Sequence, residues 1–412
     1  MCPARVVITT KFCLYGGDME RRLDIAIVGY GAAGQAASLF LSKQEHALSV
    51  FEQADSPGPV GAGFLLQPTG LGVLARLGLA EQVMAQGQRI ERLYGCNAHG
   101  HGVMDMRYSD HSPGCFGLGL TRGSLFKLMR DAWPDAAQLR TGIRMDRIDA
   151  DGKHLIDSMG ERYGPFDLIV IADGANSRLR DSAPKIVRRQ ALYPWGAMWC
   201  LLPAESWPHL DTLHQRYGGS REMIGLLPVG QRADGDGRWL TFFFSLPGGQ
   251  VDGFDGDSLV HMRDRTRMLW PQALPLLDHI REPAQLNRAR YRDVVLRAPV
   301  NGRLVFIGDA AHAMSPQLGQ GVNMALLDAE ALSDALANAS DIDDALRAYP
   351  RLRKQHLAVY QQLSRWLTPL FQSDRAGLAR VRDACFGPLG RFPLARGQML
   401  KILTGTKQAW WR

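Results

Sequence analysis

At 412 residues the chain is too long for one ordinary hydrophobic core, so its length predicts two interleaved domains or one large α/β domain with a cap. Its 46% apolar fraction, with no apolar stretch of the roughly 18 residues that a membrane span needs, argues against a disordered chain and against a membrane-spanning helix. The net charge of +7 belongs to the tail, where thirteen Lys or Arg face two Asp from Arg347 onward, and no nucleic-acid motif accompanies these charges. We therefore expect no nucleic-acid partner.

The cysteines and the first residues bear on compartment and processing. The six cysteines form no C-x-x-C pair and no metal-ligand spacing, so we expect no metal site and a reduced, cytoplasmic setting. Residues 1–22 lack the apolar core of a signal peptide, and Met19 offers an alternative start. We interpret 1–22 as a disordered or misassigned extension.

The first strong signal is the stretch from Leu23 to Asp55. An uncharged run that ends at Val28 predicts a strand buried on both faces of a parallel sheet. Three glycines follow in G-x-G-x-x-G spacing: Gly29, Gly31 and Gly34. The first permits a tight turn, the second lets a pyrophosphate approach the backbone, and the third lets a helix pack closely on the strand.

The residues after these glycines complete a dinucleotide-binding unit. A helix is predicted from Ala32 to Leu41, with its free N–H groups toward the phosphates. A second strand, Leu48 to Phe51, ends in Glu52, whose carboxylate can accept both ribose hydroxyls of an adenosine. NAD and FAD both use this unit, so the residues themselves leave the dinucleotide open.

Two later segments add candidate ligand contacts. Thr121 is the predicted N-cap of an amphipathic helix, and a cation at its first turn, Arg122, is unfavourable unless an anion lies close by. We interpret Arg122 as a phosphate contact, with an ordinary surface arginine as the alternative. The uncharged strand at 168–171 ends in Asp173 and Gly174, at the edge of an α/β sheet where ligands bind.

Residues 191–284 show alternating strands without long helices, which predicts a mainly antiparallel sheet on the substrate side. The apolar residues that we expect to line a substrate pocket are Trp195, Met223, Leu226, Phe242 and Phe244. The alternative is that they are plain core. Because no convergent polar pair is evident, a hydrophobic aromatic substrate is favoured.

The second strong signal runs from Leu304 to Leu332. A buried strand ends in Asp309, and a loop with Pro316, Gly319 and Gly321 opens into a long helix near Val322. The N-terminus of that helix would stabilise negative charge on a ligand, and Asn323 in its first turn is a candidate donor. His312 is a candidate base, although its place in the G-D-A-A-H run favours a structural role.

The basic tail, 346–412, is predicted to be helical and punctuated by prolines. Large apolar residues lie among its charges, including Trp366 and Trp410. This mixture suits peripheral contact with an anionic membrane surface, and a solvated helical face is the alternative.

Three motifs in one order carry a family resemblance: G-x-G-x-x-G with a distal Glu, then D-G, then G-D-A-A-H-x-x-x-P-x-x-G-Q-G-x-N. Over about residues 23–400 the sequence resembles the class A FAD-dependent aromatic hydroxylases typified by para-hydroxybenzoate hydroxylase, and among them the ubiquinone-biosynthesis hydroxylases. The resemblance implies a Rossmann-like FAD-binding domain, 23–190 with 285–345, interleaved with an antiparallel β-sheet substrate domain, 191–284, and followed by the helical tail.

The resemblance also implies residue roles. The residues expected to bind FAD are Gly29, Gly31, Ala32, Ala33, Gly34, Glu52, Arg122, Asp173, Gly174, Asp309, Pro316, Gly319, Gln320, Gly321, Val322 and Asn323. The segment 316–323 would cradle the isoalloxazine, and the D-G pair would serve both FAD and a transiently bound NAD(P)H. The implied reaction is hydroxylation of a phenolic or quinone-precursor substrate by O2 through a flavin C4a-hydroperoxide.

Other functions stay open beside this one. A flavin-dependent reductase of isoprenoid or other unsaturated chains would keep the scaffold without oxygen insertion. A flavin-dependent halogenase is disfavoured because Trp195 and Trp199 do not form a W-x-W-x-I-P pattern. A non-enzymatic flavin-binding module is disfavoured by the intact P-x-x-G-Q-G-x-N loop.

Overall fold

A computed structural model describes residues 22–58, 62–135 and 138–410, and the backbone alone of Asp236. The predicted extension 1–22 therefore lies outside the described residues except for its last member. Within these ranges the strands are β1 (Asp24–Val28), β2 (Ala47–Phe51), β3 (Gly63–Leu66), β4 (Gln88–Ile90), β5 (Arg92–Asn97), β6 (Gly102–Arg107), β7 (Gly117–Thr121), β8 (Leu139–Arg140), β9 (Met145–Ile148), β10 (Leu155–Asp157), β11 (Arg162–Tyr163), β12 (Leu168–Ile171), β13 (Val187–Pro203), β14 (Thr212–Gly218), β15 (Glu222–Arg232), β16 (Gly235–Pro247), β17 (Asn287–Leu296), β18 (Val300–Asn301) and β19 (Leu304–Phe306).

The helices in the same ranges are α1 (Ala32–Ser42), α2 (Pro68–Leu77), α3 (Ala80–Gln86), α4 (Arg122–Asp131), α5 (Gly248–Asp252), α6 (Gly256–Leu269), α7 (Asp309–His312), α8 (Gly321–Ala337), α9 (Ile342–Phe371), α10 (Ala376–Leu389) and α11 (Pro393–Thr404). Thr121 caps α4 as predicted, because its hydroxyl accepts a hydrogen bond from the Ser124 N–H.

A parallel sheet holds the dinucleotide motif. Its strand order is β18-β19-β12-β1-β2-β8, and each neighbouring pair is parallel except β18 with β19. One face packs against α1 and α8, and the other packs against a small antiparallel sheet, β11-β10-β9. Because β1, β12 and β19 run in the same direction, their carboxyl ends bring Gly29, Asp173 and Asp309 to one edge.

The second large sheet has the order β17-β13-β16-β15-β14-β5-β6 and is antiparallel except between β14 and β5. One face packs on α5, α6 and the 3₁₀ segment Pro271–His279. The opposite face packs on β3 and α11 at one end and on the ends of α9 and α10 at the other. Three strands of this sheet, β5, β6 and β17, lie outside residues 191–284. The predicted bounds of the substrate domain stay a proposal.

The helical tail is part of the molecular core. We expected prolines to interrupt the helices of the tail, but α9 continues through Pro350 and Pro369. The long buried face of α9, which includes Tyr349 and Tyr360, offsets the hydrogen bonds that the prolines remove. Leu400 and Leu403 of α11 are buried in the cluster that joins β3 to the antiparallel sheet.

Over the described ranges, no helix has both the length and the apolar character to cross a membrane. Peripheral contact of the tail with a membrane surface stays a prediction.

Candidate active site

The glycine motif forms a cradle whose three positions have different requirements. Gly29 has a φ of +99°, and a Cβ there would lie 2.4 Å from the Ala172 carbonyl oxygen. A Cβ at Gly34 would lie 1.9 Å from the Gly29 carbonyl oxygen, so only glycine lets α1 approach the turn this closely. A Cβ at Gly31 would meet nothing within 4 Å. The protein leaves Gly31 facing open space, as the approach of a pyrophosphate requires.

Glu52 lies at the end of β2 beside this turn. Its carboxylate accepts hydrogen bonds from the backbone N–H of Tyr30 at 2.8 Å and of Ala54 at 3.0 Å. A cavity of about 460 Å³ is lined by Glu52 together with Gly29, Gly31, Asp173 and Gly174. The structure thus brings the glycine motif, the predicted ribose acceptor and the D-G pair to one cavity.

The D-G pair is held by a buried arginine that the sequence analysis missed. Arg180 has no exposed surface and donates to the carbonyl oxygens of Ala175 at 2.7 Å and Ala310 at 2.9 Å. It thereby links the loop after β12 to the loop after β19. Burial raises the pKa of Asp173 to about 6, although Ser177 and Arg180 lower it. One carboxylate oxygen of Asp173, Oδ1, is buried without a hydrogen-bond partner among the described residues.

Arg122 and Asp309 lie close enough to interact electrostatically. The Arg122 side chain is exposed, but the protein around it partly removes its hydration, which lowers its pKa, whereas Asp309 raises that pKa. A Cβ at Gly321 would lie 3.9 Å from Asp309 Oδ1, so the carboxylate is near the N-terminus of α8. A cation, an acid and a helix N-terminus therefore lie close together, and we call the region that they border the cleft.

The loop before α8 is fastened by side chains of its own. The Asn323 amide donates to the carbonyl oxygens of Leu65 at 3.4 Å and Gly319 at 3.2 Å, and its oxygen accepts from the Gln67 N–H at 2.8 Å. This corrects the expectation that Asn323 donates to the ligand, because its donors are engaged by backbone. Gln320 donates to the Leu403 carbonyl at 2.8 Å and so attaches the loop to α11.

His312 faces the protein interior. It is 1% exposed, and its Nε2 lies 2.5 Å from Asp328 Oδ2. Asp328 also accepts from Arg353 Nε at 2.7 Å and from the Gly308 N–H at 2.8 Å. Burial would raise the pKa of Asp328, but His312 and Arg353 hold it at about 2. This geometry favours the structural interpretation of His312 over the catalytic one.

The predicted pocket wall divides between two faces of the antiparallel sheet. Leu226, Phe242 and Phe244 point into the core beneath α6, at most 1% exposed, so for these three the plain-core alternative replaces the pocket assignment. Strand alternation explains the error, because successive side chains point to opposite faces. Met223 packs on Phe371, on the opposite face.

Trp195 is buried near the end of the sheet. Its indole N–H donates to the Arg221 carbonyl oxygen at 3.2 Å.

The face of the antiparallel sheet that carries Met223, opposite to the core beneath α6, is called the cleft face. It is formed by alternate residues of three strands. Its central members are Trp199 and Leu201 on β13, Gly225 on β15, and Thr241 and Phe243 on β16. Leu201 shares a cluster with Leu65 and Leu403, the residues whose carbonyls hold Asn323 and Gln320. The cleft face therefore adjoins the loop before α8.

A cluster of carboxylates and a histidine lies away from this cleft. One ligand atom each from Asp149, Asp151 and His154 lies within 4.8 Å of the others, but Arg162 donates to both aspartates at 2.8 and 2.9 Å. The ion pairs with Arg162 account for the proximity of these side chains. The expectation that the protein holds no metal site stays a prediction.

Comparisons with known proteins agree with this geometry. Residues 22–362 match the family described as FAD binding domain. A kynurenine 3-monooxygenase of Salinispora tropica is 30% identical over 376 residues, which cover 84% of this chain and 79% of that protein. A putative 2-heptyl-3-hydroxy-4(1H)-quinolone synthase of Rhodococcus erythropolis is 28% identical over 348 residues, 83% of this chain and 86% of that protein.

A solved structure shows the same fold. Klebsiella pneumoniae HpxO, complexed with FAD and uric acid, superposes with a TM-score of 0.78 at 22% identity, over 93% of this chain and 97% of that one. Since the family match spans most of the chain and the glycine cradle fits the ADP half of FAD, the chain belongs to the FAD binding domain family and is an FAD-dependent monooxygenase of the aromatic-hydroxylase class.

Proposed function

We propose that this enzyme uses NAD(P)H and O2 to hydroxylate a small aromatic substrate of the phenolic or quinone-precursor kind, with a hydrophobic ring system. The observation that carries this proposal is the attachment of the loop before α8, where Gln320 and Asn323 bind the carbonyls of Leu403 and Leu65. These two leucines pack on a face of the antiparallel sheet that carries half-buried aromatic side chains. A planar substrate bound there would lie between the flavin and the sheet.

The residues that would hold FAD have separate tasks. Gly31 admits the pyrophosphate to the N-terminus of α1, and Glu52 and Asp173 offer acceptors to the ribose and its neighbouring hydroxyls. Arg122 would balance phosphate charge, and the N-terminus of α8 would stabilise negative charge on the flavin ring. FAD, when bound and reduced, supplies the activation of dioxygen.

The remaining task of the protein is to exclude water and hold the substrate ring. α11 covers one end of the cleft face through Leu400 and Leu403, and the end of α9 covers the other through Phe371. The fastened loop at Gln320 and Asn323 keeps the N-terminus of α8 in position between them.

The relatives support a small ring compound as substrate. Two of them are named for kynurenine and for a heptyl-hydroxyquinolone, and the solved structure contains uric acid. We extend to this chain only their shared feature, a planar aromatic or heteroaromatic ring.

Oxygen-isotope labelling tests the proposal. The FAD-loaded enzyme is incubated with NADH or NADPH, isotopically labelled dioxygen and a panel of phenols and alkylphenols, and the products are analysed by mass spectrometry. We expect one labelled oxygen atom in a product, with NAD(P)H consumed in step with it. NAD(P)H consumption that yields a reduced, unlabelled product would instead establish the reductase, and halide incorporation would establish the halogenase.

A further inference from the structure

We propose that the outer side of α10 and the start of α11 form a docking surface for an anionic membrane. Such a surface is independent of the proposed function, since it decides where the enzyme works and not what it oxidises. It occupies only part of the basic tail, 346–412, for which we expected membrane contact.

α10 directs its charged side chains toward the protein. Arg382 has no exposed surface and donates to the carbonyl oxygens of Gly219 at 2.9 Å and Leu370 at 3.2 Å. It also pairs with Asp383 at 2.6 Å, and Asn97 donates to the other oxygen of that carboxylate at 2.8 Å. A surface helix normally turns such charges toward water and its apolar side chains toward the core. α10 has the reverse arrangement.

The side of α10 that faces away from the protein is almost entirely apolar. Its exposed residues are Ala376, Gly377, Arg380, Val381, Ala384, Cys385, Pro388 and Leu389. They recur at spacings of three and four residues, which places them together along the helix. The single charge among them is a cation. A continuous exposed apolar surface of this kind indicates a contact outside the chain.

The turn into α11 extends this surface. Phe392 is 66% exposed and Leu394 is 89% exposed, beside Val381 at 54% and Leu389 at 45%. These large side chains lie at the end of α10 and the start of α11, so they project together at one end of the helix pair. We call the exposed residues of 376–394 the outer surface.

The inner side of α10 contacts the substrate region. Phe386 packs on Phe371 with ring centroids 6.0 Å apart, in the cluster that Phe243 of the cleft face joins. A Cβ at Gly387 would lie 3.0 Å from the Gly102 carbonyl oxygen, so α10 lies directly on β6. The same helix therefore adjoins the cleft face on one side and presents the outer surface on the other.

The charges around the outer surface favour an anionic partner. Arg375, Arg380 and Arg391 are exposed and have no ion pair within the part of the chain that the structure describes. The nearby acids are each paired with an arginine: Asp374 with Arg221, Asp383 with Arg382, Asp105 with Arg92, and Asp110 with Arg396. An apolar surface with unpaired cations around it complements anionic lipid, since the apolar side chains enter the acyl boundary and the arginines meet phosphates.

A second copy of the chain fits this surface less well. In a symmetric dimer the same surface meets itself, so Arg380 and Arg391 would face like charges. The nearby acids are already paired and would not offset this repulsion. A membrane supplies phosphate groups to both arginines at once.

Vesicle sedimentation of the FAD-loaded full-length enzyme tests the proposal. One set of vesicles contains phosphatidylcholine alone, and the other contains equal parts of phosphatidylcholine and phosphatidylglycerol. We expect the enzyme to bind the mixed vesicles about tenfold or more tightly, with a loss of binding as salt is added. Equal binding to both sets, or binding to neither, would overturn the proposal.

Exposed apolar residues elsewhere provide a matched control. Phe392→Ser combined with Leu394→Ser should weaken binding to the mixed vesicles by about tenfold or more, because both side chains enter the acyl boundary. Val260→Ser combined with Met268→Ser changes side chains of α6 that are 59% and 70% exposed, and it should leave vesicle binding unchanged. Neither double variant should lower the thermal midpoint. Equal vesicle binding by the two double variants would contradict the assignment of the outer surface.

Single charges test the electrostatic part. Arg391→Gln should weaken binding to the mixed vesicles by about fivefold at low salt. Arg281→Gln removes the same charge from an exposed position before β17 and should not change binding. Wild-type vesicle binding by Arg391→Gln would refute the role of lipid charge, and with it the proposal.

Sedimentation velocity without lipid distinguishes the other occupant. We expect the wild type and the Phe392→Ser, Leu394→Ser variant to sediment alike. A wild-type dimer that dissociates in this variant would assign the outer surface to a second copy and overturn the proposal. Failure of the isotope-labelling experiment would not affect these results, since vesicle binding requires no substrate.

Discussion

At the scale of single residues, the site is organised by buried charges whose environments push their pKa values in opposite directions. Burial dominates at Asp173 and raises its pKa to about 6, whereas His312 and Arg353 overcome burial at Asp328 and hold its pKa at about 2. The first carboxylate lies at the cavity with an unpartnered oxygen, and the second is fully paired in the core. This contrast separates an acid that lines the cavity from one that is paired in the core.

Asp173 predicts a pH dependence of stability. With a pKa near 6 in the folded chain and 3.8 as its ordinary value, the folded chain retains a proton that the unfolded chain has lost. Stability is therefore lost as pH rises from about 4 to about 6. In the FAD-free chain, Asp173→Asn should gain up to about 3 kcal/mol over wild type across that window. Thermal midpoints between pH 4 and pH 7 measure this, and a constant difference between the two proteins would refute it.

Asp328 predicts the reverse dependence. Its lowered pKa contributes stability above pH 4 that is lost as pH falls toward about 2. Asp328→Asn leaves Arg353 buried without a counter-charge and should cost about 3–5 kcal/mol at neutral pH. The control is Asp334→Asn on the same helix, whose ion pair with Arg76 is exposed and should be worth less than about 1 kcal/mol. Similar losses from both variants, measured by denaturant unfolding, would contradict this account.

At the scale of elements, the close approach of α1 to β1 decides which glycines are structural. Gly34 is required for packing and Gly31 is not, although both belong to one motif. The motif alone cannot separate these two roles, because they depend on what lies opposite each Cα in the folded chain.

The two glycines therefore predict different phenotypes. Gly34→Ala drives a Cβ into the Gly29 carbonyl and should lower the thermal midpoint of the FAD-free chain. Gly31→Ala should leave that midpoint unchanged and weaken FAD binding by about tenfold or more, since it obstructs the pyrophosphate. Calorimetry and flavin fluorescence titration measure the two effects. Normal FAD affinity in Gly31→Ala would argue against the cradle.

At the scale of the whole molecule, the tail joins the two large sheets. α11 contacts the loop before α8 through the Leu403 carbonyl, packs on the antiparallel sheet through Leu400 and Leu403, and meets α9 where His356 lies 3.0 Å from the Gly405 carbonyl. Removing 347–412 would also remove Arg353 from the core, so deletion of the tail would not isolate a surface function.

A point variant tests this joining role. Leu403→Asp places a charge in the cluster between β3 and the antiparallel sheet, and it should detach α11 and weaken FAD binding, because Gln320 loses its acceptor. Leu394→Asp is the matched control, since Leu394 lies on the same helix and is 89% exposed. Equal FAD affinities in both variants, by fluorescence titration, would show that α11 does not support the cofactor loop.

Much of the fold could be predicted from local pattern. Four strands of the parallel sheet (β1, β2, β12 and β19), the N-cap at Thr121 and the helix near Val322 were predicted within a residue or two, because buried strands and helix caps have local signatures. The short edge strands β8 and β18 were not predicted. The continuation of α9 through Pro350 and Pro369 could not be predicted, because the penalty of each proline is local whereas the packing that offsets it comes from distant elements.

The sequence by itself determined the dinucleotide-binding unit and the order of the three motifs, because each is a short-range pattern that dinucleotide chemistry imposes. FAD followed only from the family resemblance that these motifs carry. The tertiary structure alone decided which residues of the antiparallel sheet lie in its core, since Phe242 and Phe244 pack beneath α6 whereas Phe243 and Trp199 lie on the opposite face. Only the tertiary structure also shows that Arg180 donates a hydrogen bond to the Ala310 carbonyl oxygen and that Arg353 pairs with Asp328. The physical reason is that a strand repeats every two residues whichever face is buried, and that ion pairs between distant segments have no local signature.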